Sequence, residues 1–179
     1  SDVPTLVLKQ TDLDTEFKDT NKFKGQLQVL ENELKSLKNI KHQSVLEIFD
    51  YKVHRTIDKD GESDSAWTVS ILTEFAEKGS LQEFLDIAGN LGAEKVRSWT
   101  IELLDALRFL HEKGIVHEDV HAGNVLLVRM SNGEVKPKLA DAGYQGKLHK
   151  LSGGKQVDTI SMAKSAYWFP PEIANTNHP

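Results

Sequence analysis

At 179 residues, with 39% hydrophobic and 27% charged side chains, the chain is one domain's worth of ordinary globular composition, long enough to bury a core. It has no cysteine, which excludes disulfides and thiolate metal sites, and its formal net charge of −5 gives no general reason to expect nucleic-acid binding. No apolar run reaches membrane-spanning length and the N-terminus has no signal-peptide layout, so a cytoplasmic location is expected.

In chain order, Thr5 to Lys9 reads as a short buried strand ending in a lysine. Leu27, Leu30, Leu34 and Leu37 then recur at helical spacing, with Glu31, Glu33, Lys35 and Lys38 off the stripe. The stripe is too short for a coiled-coil seam, which leaves core packing. Val45 to Val53 suits a strand, residues 55–65 a polar hairpin loop, and Trp67 to Phe75 a second strand. Ser80 is placed to cap a short helix from Leu81. From Glu94 to Lys113, Val96, Leu103, Leu107 and Leu110 mark another helical face, stopped at Gly114. Val125 to Val128 and Val135 to Leu139 pair around the turn Ser131-Asn132-Gly133-Glu134, and residues 141–172 show little periodicity. The order predicts an α+β fold: a small sheet-containing lobe, then a mainly helical one.

His117-Glu118-Asp119-Val120-His121 matches two signatures. As H-E-x-x-H it would be a zinc hydrolase site, with His117 and His121 as ligands and Glu118 as general base. That chemistry requires a helix, so that both imidazoles share one face. Here a helix stops at Gly114, β-branched Ile115 and Val116 follow, and Gly123-Asn124 comes directly after. The second signature is H-R-D-x-x-x-x-N, in which the aspartate orients a substrate hydroxyl and the asparagine binds Mg²⁺. Asp119 and Asn124 have that spacing. Asp141-Ala142-Gly143 then stands in the place of D-F-G, and Tyr167 to Glu172 in the place of A-P-E.

With these pieces in order, the chain resembles protein kinases over nearly its whole length. The resemblance implies a kinase-like fold, with residues 1–75 a partial small lobe and residues 76–179 the hinge and part of the larger lobe. The chain stops just past Glu172, before the long helix that scaffolds that lobe in kinases. Lys9 is then the phosphate-holding lysine and Glu33 its ion-pair partner. Thr73 is the gatekeeper, with Glu74 and Ala76 at the hinge. Leu37, Ile48 and His117 are stacked spine residues, Asp119 a catalytic aspartate by descent, and Asn124 and Asp141 the residues that face Mg-ATP if nucleotide binds.

Several departures weaken the catalytic pattern. The chain starts too close to Lys9 to include a glycine-rich loop, which is either cut away or lacking in this domain, and Glu118 replaces the loop arginine, so a carboxylate would repel an activation-segment phosphate. His121, an imidazole, replaces the lysine that neutralises the moving phosphoryl group, and Ala142 replaces the phenylalanine, leaving an expected gap in the spine. In such a domain Asp119 and Asn124 are expected to serve the loop backbone instead of chemistry.

The strings His117–Leu127, Lys138–Gln145 and Ala163–Glu172 further resemble the pseudokinase domains of fungal general-control kinases, which act on translation initiation factor 2α during amino-acid starvation. That resemblance implies a regulatory domain whose partner is an adjacent kinase domain on the same polypeptide, within a homodimer of the full-length protein. The alternative is a divergent, active Ser/Thr kinase domain. Trp67, Trp99 and Trp168 are expected in the core, and the remaining histidines as packing or surface residues. Lys147, Lys150, Lys155 and Lys164 make the activation-segment region mildly basic: a solvated face or a docking surface for an acidic partner.

Overall fold

A computed structural model describes residues 5–13, 21–56 and 66–153. Strand β1 (Leu6–Asp12), helix α1 (Asn21–Lys38) and strands β2 (Ile48–Thr56) and β3 (Ala66–Glu74) come first. Helices α2 (Leu81–Ala88) and α3 (Ala93–Glu112), the hairpin β4 (Val125–Arg129) and β5 (Val135–Leu139), and helix α4 (Gln145–Leu151) follow. The order is the α+β arrangement expected. The polar loop after Thr56 and the segment holding Lys155, Lys164, Tyr167 to Glu172 and His178 lie outside the described residues.

The three early strands form one antiparallel sheet in the order β1-β3-β2. Lys9 on β1 stands opposite Ile71 on β3, which fixes the lysine at the middle of its strand. Strand β1 is not fully buried as its apolar run suggests. Its residues alternate in exposure, and Leu8 is 57% exposed, because only one face of this strand turns inward.

Helix α1 follows its leucine stripe. Phe23, Leu27, Leu30, Leu34 and Leu37 are buried, so the stripe runs one turn longer than the leucines alone indicate. They join Ile48, Val69 and Ile71 of the sheet in a core that continues through Ala106, Leu110, Ile115 and Leu139. One core therefore spans both parts of the chain.

On α3 the buried face is Trp99, Ala106 and Leu110, with Leu103 and Leu107 half-buried. Val96 is 47% exposed, since the stripe through Trp99, Leu103, Ala106 and Leu110 leaves the first turn outside. Ser80 caps α2 as expected, and does so reciprocally: its Oγ accepts from the Glu83 N–H (3.1 Å) while its own N–H donates to Glu83 Oε2 (2.7 Å).

Two sets of backbone bonds place the site. Leu46 N–H donates to Leu139 C=O (2.8 Å) and Leu139 N–H to Ser44 C=O (2.9 Å), tying the segment after α1 to β5. Leu127 N–H donates to Gly79 C=O (2.9 Å), and Lys78 N–H to Leu127 C=O (3.2 Å), tying the segment after β3 to β4. The sheet and the hairpin are thereby held on either side of one crevice.

The packing has a direct test. Leu34→Ala, which empties a fully buried position, is expected to cost about 2–5 kcal/mol. Val96→Ala is expected to change stability by less than about 0.5 kcal/mol. Denaturant midpoints of the two variants check the assigned faces.

Candidate functional site

Residues His117 to His121 form a loop, with Glu118 at φ 67°. The helical i, i+4 geometry that a zinc motif requires is therefore not built. His117 is buried, and its Nδ1 accepts from the Asp119 N–H (3.3 Å). Burial pushes its imidazole below the ordinary histidine pKa, which keeps it neutral. His121 instead turns back on its own loop: its Nδ1 accepts from the Gly123 N–H (3.1 Å), opening the 3₁₀ turn Ala122–Asn124.

Within this loop Asn124 Nδ2 donates to both the backbone oxygen (3.0 Å) and Oδ2 (2.9 Å) of Asp119. His121 Nε2 lies 3.4 Å from the same Oδ2. The Ala140 N–H donates to Asn124 C=O (2.9 Å), so the loop is fixed directly to the residue before Asp141. The spacing of Asp119 and Asn124 thus corresponds to a formed structure. Among the described residues Oδ1 of Asp119 carries no hydrogen bond.

Asp141 is the most heavily engaged group. Its Oδ1 accepts from Lys9 Nζ (2.7 Å) and from the Tyr144 hydroxyl (2.5 Å), and its Oδ2 accepts from Gln145 Nε2 (3.0 Å). These donors fill three of the roughly four lone-pair positions of a carboxylate. Burial by itself would raise the Asp141 pKa, but the Lys9 charge and the three hydrogen bonds outweigh it and hold the carboxyl below its usual value. Burial and the neighbouring carboxylate push Tyr144 well above the ordinary phenol value, so it remains a neutral donor.

The expected pairing of Lys9 with Glu33 is not formed. Lys9 goes to Asp141, and Glu33 Oε2 lies 3.5 Å from Lys147 on α4. The cause is α4 itself, which packs on α1 through buried Leu148 and Leu151 and carries Lys147 to the glutamate. Lys147 Nζ also donates to Gly143 C=O (2.7 Å). Gly143 has φ 73°, and a Cβ there would sit 2.8 Å from Glu33 Oε1 and 3.0 Å from the Val116 oxygen, so this close approach depends on glycine.

The gap expected at Ala142 is filled. Tyr144 is only 1% exposed and, with Ala142, Leu37, Ile48 and Thr73, lines a remaining partly open pocket of about 10 Å³. That is room for about one water. Ala142 does not leave the core open, because the aromatic ring arrives from two residues later. Tyr144 and Gln145 were not foreseen as site residues, and Lys147 only as part of a basic surface. The spacing of Tyr144, Leu148 and Leu151 is the apolar signal of the short helix that delivers them.

At the other side of the crevice Thr73 is buried, and Glu74 receives both oxygens' bonds from Lys138 Nζ (2.7 and 2.8 Å). Ala76 C=O accepts from the Gly79 N–H (3.1 Å) in the following turn. Glu74 therefore serves a structural ion pair with its side chain.

A sequence model of the protein kinase domain matches residues 4–179, and the chain belongs to that family. It is 31% identical over 174 residues to mitogen-activated protein kinase kinase kinase ANP1 of Arabidopsis thaliana, covering 97% of this chain and 24% of that protein. It is 29% identical over 176 residues to eIF-2-alpha kinase GCN2 of Schizosaccharomyces pombe (96% and 11%), and 26% identical over 155 residues to serine/threonine-protein kinase ULK1 of Homo sapiens (84% and 13%). The chain spans a quarter or less of the length of each of these relatives. Among the described residues no helix is long and apolar enough to cross a membrane.

The depressed Asp141 pKa sets a pH dependence. Its contribution to stability is complete above the unfolded carboxyl value of about 3.9 and is lost as pH falls through the lower folded value. Asp141→Asn is expected to lower stability at neutral pH by about 1–3 kcal/mol and to flatten the loss on acidification. Thermal midpoints measured from neutral to strongly acidic pH check this; an acid limb unchanged by the substitution would contradict it.

Proposed function

We propose that the chain is a regulatory domain of the protein kinase family, inefficient in phosphoryl transfer, that stimulates an adjacent kinase domain of the same polypeptide by contact. The observation that carries this reading is the Asp141 cluster. The carboxylate that a kinase turns toward Mg²⁺ is held by Lys9, Tyr144 and Gln145, while Glu33 is drawn to Lys147. Phosphoryl transfer depends on positioning and charge stabilisation. Glu118 and His121 supply neither of the cations found at their places in kinases.

The setting we propose is control of translation during amino-acid starvation, in a homodimeric cytoplasmic protein whose kinase domain acts on translation initiation factor 2α. The motif strings around Asp119, Asp141 and Glu172 support this, as does similarity to a relative named as an eIF-2-alpha kinase.

A second reading, a divergent active Ser/Thr kinase, is favoured by the formed Asp119–Asn124 loop and the free Oδ1 of Asp119. The two readings part on one experiment. In the full polypeptide, Asp119→Asn is expected to leave phosphorylation of the factor within about twofold of wild type, since no step passes through this loop. A loss of about 10²-fold or more, the scale at which a proton-accepting group contributes, would establish the second reading and end the first.

Nucleotide affinity tests the cluster itself. Tyr144→Phe removes one donor from Asp141 and is expected to strengthen Mg-ATP binding severalfold, read as a larger thermal shift, with no such change for ATP in EDTA. An unchanged Mg-ATP response would show that the cluster does not restrain the metal.

A further inference from the structure

Between α1 and α4 lies a groove of about 420 Å³ lined by Lys22, Gly25, Gln26, Val29, Lys147 and Lys150. Lys22, Gln26 and Val29 are successive positions on one face of α1, and Lys147 and Lys150 are neighbours on α4. Of the three ammonium groups only Lys147 has a carboxylate partner, Glu33 at 3.5 Å; among the described residues Lys22 and Lys150 have none. The first turn of α1 itself carries no acidic residue. This concentration of positive charge stands on a chain of formal net charge −5.

The lining identifies the occupant. A volume of this size matches a ligand and not a bare ion. Val29, 51% exposed at the groove, offers an aliphatic contact beside the charges. Among the described residues the groove shows no aromatic platform on which a nucleic-acid base would stack and no broad apolar rim for a bilayer.

We propose that the groove binds an acidic peptide segment of a partner protein, its carboxylates on Lys22, Lys147 and Lys150 and an aliphatic side chain on Val29. Because the groove exists only while α4 lies on α1, the peptide holds α4 in place and keeps Lys147 beside Glu33. The inference rests on this docked geometry and stands whether or not the domain transfers phosphate.

The probe is a labelled Glu/Asp-rich peptide carrying one leucine, titrated into the full chain and followed by fluorescence anisotropy. Binding is expected, weakening as salt rises and falling about tenfold or more, or about 1.4 kcal/mol, in Lys22→Glu/Lys150→Glu. Both positions are exposed, and equal thermal midpoints for variant and wild type confirm that the fold persists. Lys22→Gln/Lys150→Gln is expected to give an intermediate loss, and bound peptide to slow amide exchange in 145–151. No binding, equal binding by the charge-reversed variant, or tighter binding to single-stranded nucleic acid or anionic vesicles than to the peptide would overturn the proposal. None of these results bears on the Asp119→Asn comparison, so the two fail separately.

Discussion

A buried carboxylate must be compensated, and the way Asp141 is compensated determines the rest of the site. Taking this charge out of water is tolerable only with partners in place. The chain supplies Lys9 from the sheet, and Tyr144 and Gln145 from the segment just after the aspartate. Since two of the three donors lie within four residues of Asp141, the backbone there must turn at once. It does so through φ 61° at Asp141 and φ 73° at Gly143. That turn starts α4, and α4 brings Lys147 to Glu33. Satisfying one acid therefore redirects the other.

The same local solution explains how a chain with alanine at position 142 keeps a closed core. Beside Ala142 the ring of Tyr144 is buried in the same core, and its hydroxyl is also one of the Asp141 donors. One side chain thus answers a packing need and a polar one. A buried tyrosine needs a partner for its hydroxyl, and the buried aspartate needs donors, so each makes the other's burial acceptable.

Much of the fold was legible in the sequence because its signals are local. The α1 stripe, the Ser80 cap, the hairpin at residues 125–139 and the Asp119–Asn124 spacing depend on neighbours along the chain, and all four took the expected form. What could not be read depended on distant partners. Lys9 is flanked by nothing that distinguishes Glu33 from Asp141 as its partner; the choice is made by α4, whose seven residues carry only Leu148 and Leu151 as an apolar signal. The exposure of Leu8 and Val96 is likewise a matter of which face other elements cover, and residue type does not encode it.

Lys147 bears on the rate at which this site can change. For Glu33 to meet Lys9, Lys147 must leave, and Lys147 is carried by a helix anchored through Leu148 and Leu151. A side chain alone could swap partners in nanoseconds, whereas lifting this helix exposes two leucines to water, at about 1.5–3 kcal/mol each. Any movement of α4 itself therefore couples a change of ion pairs to the opening of a small apolar contact.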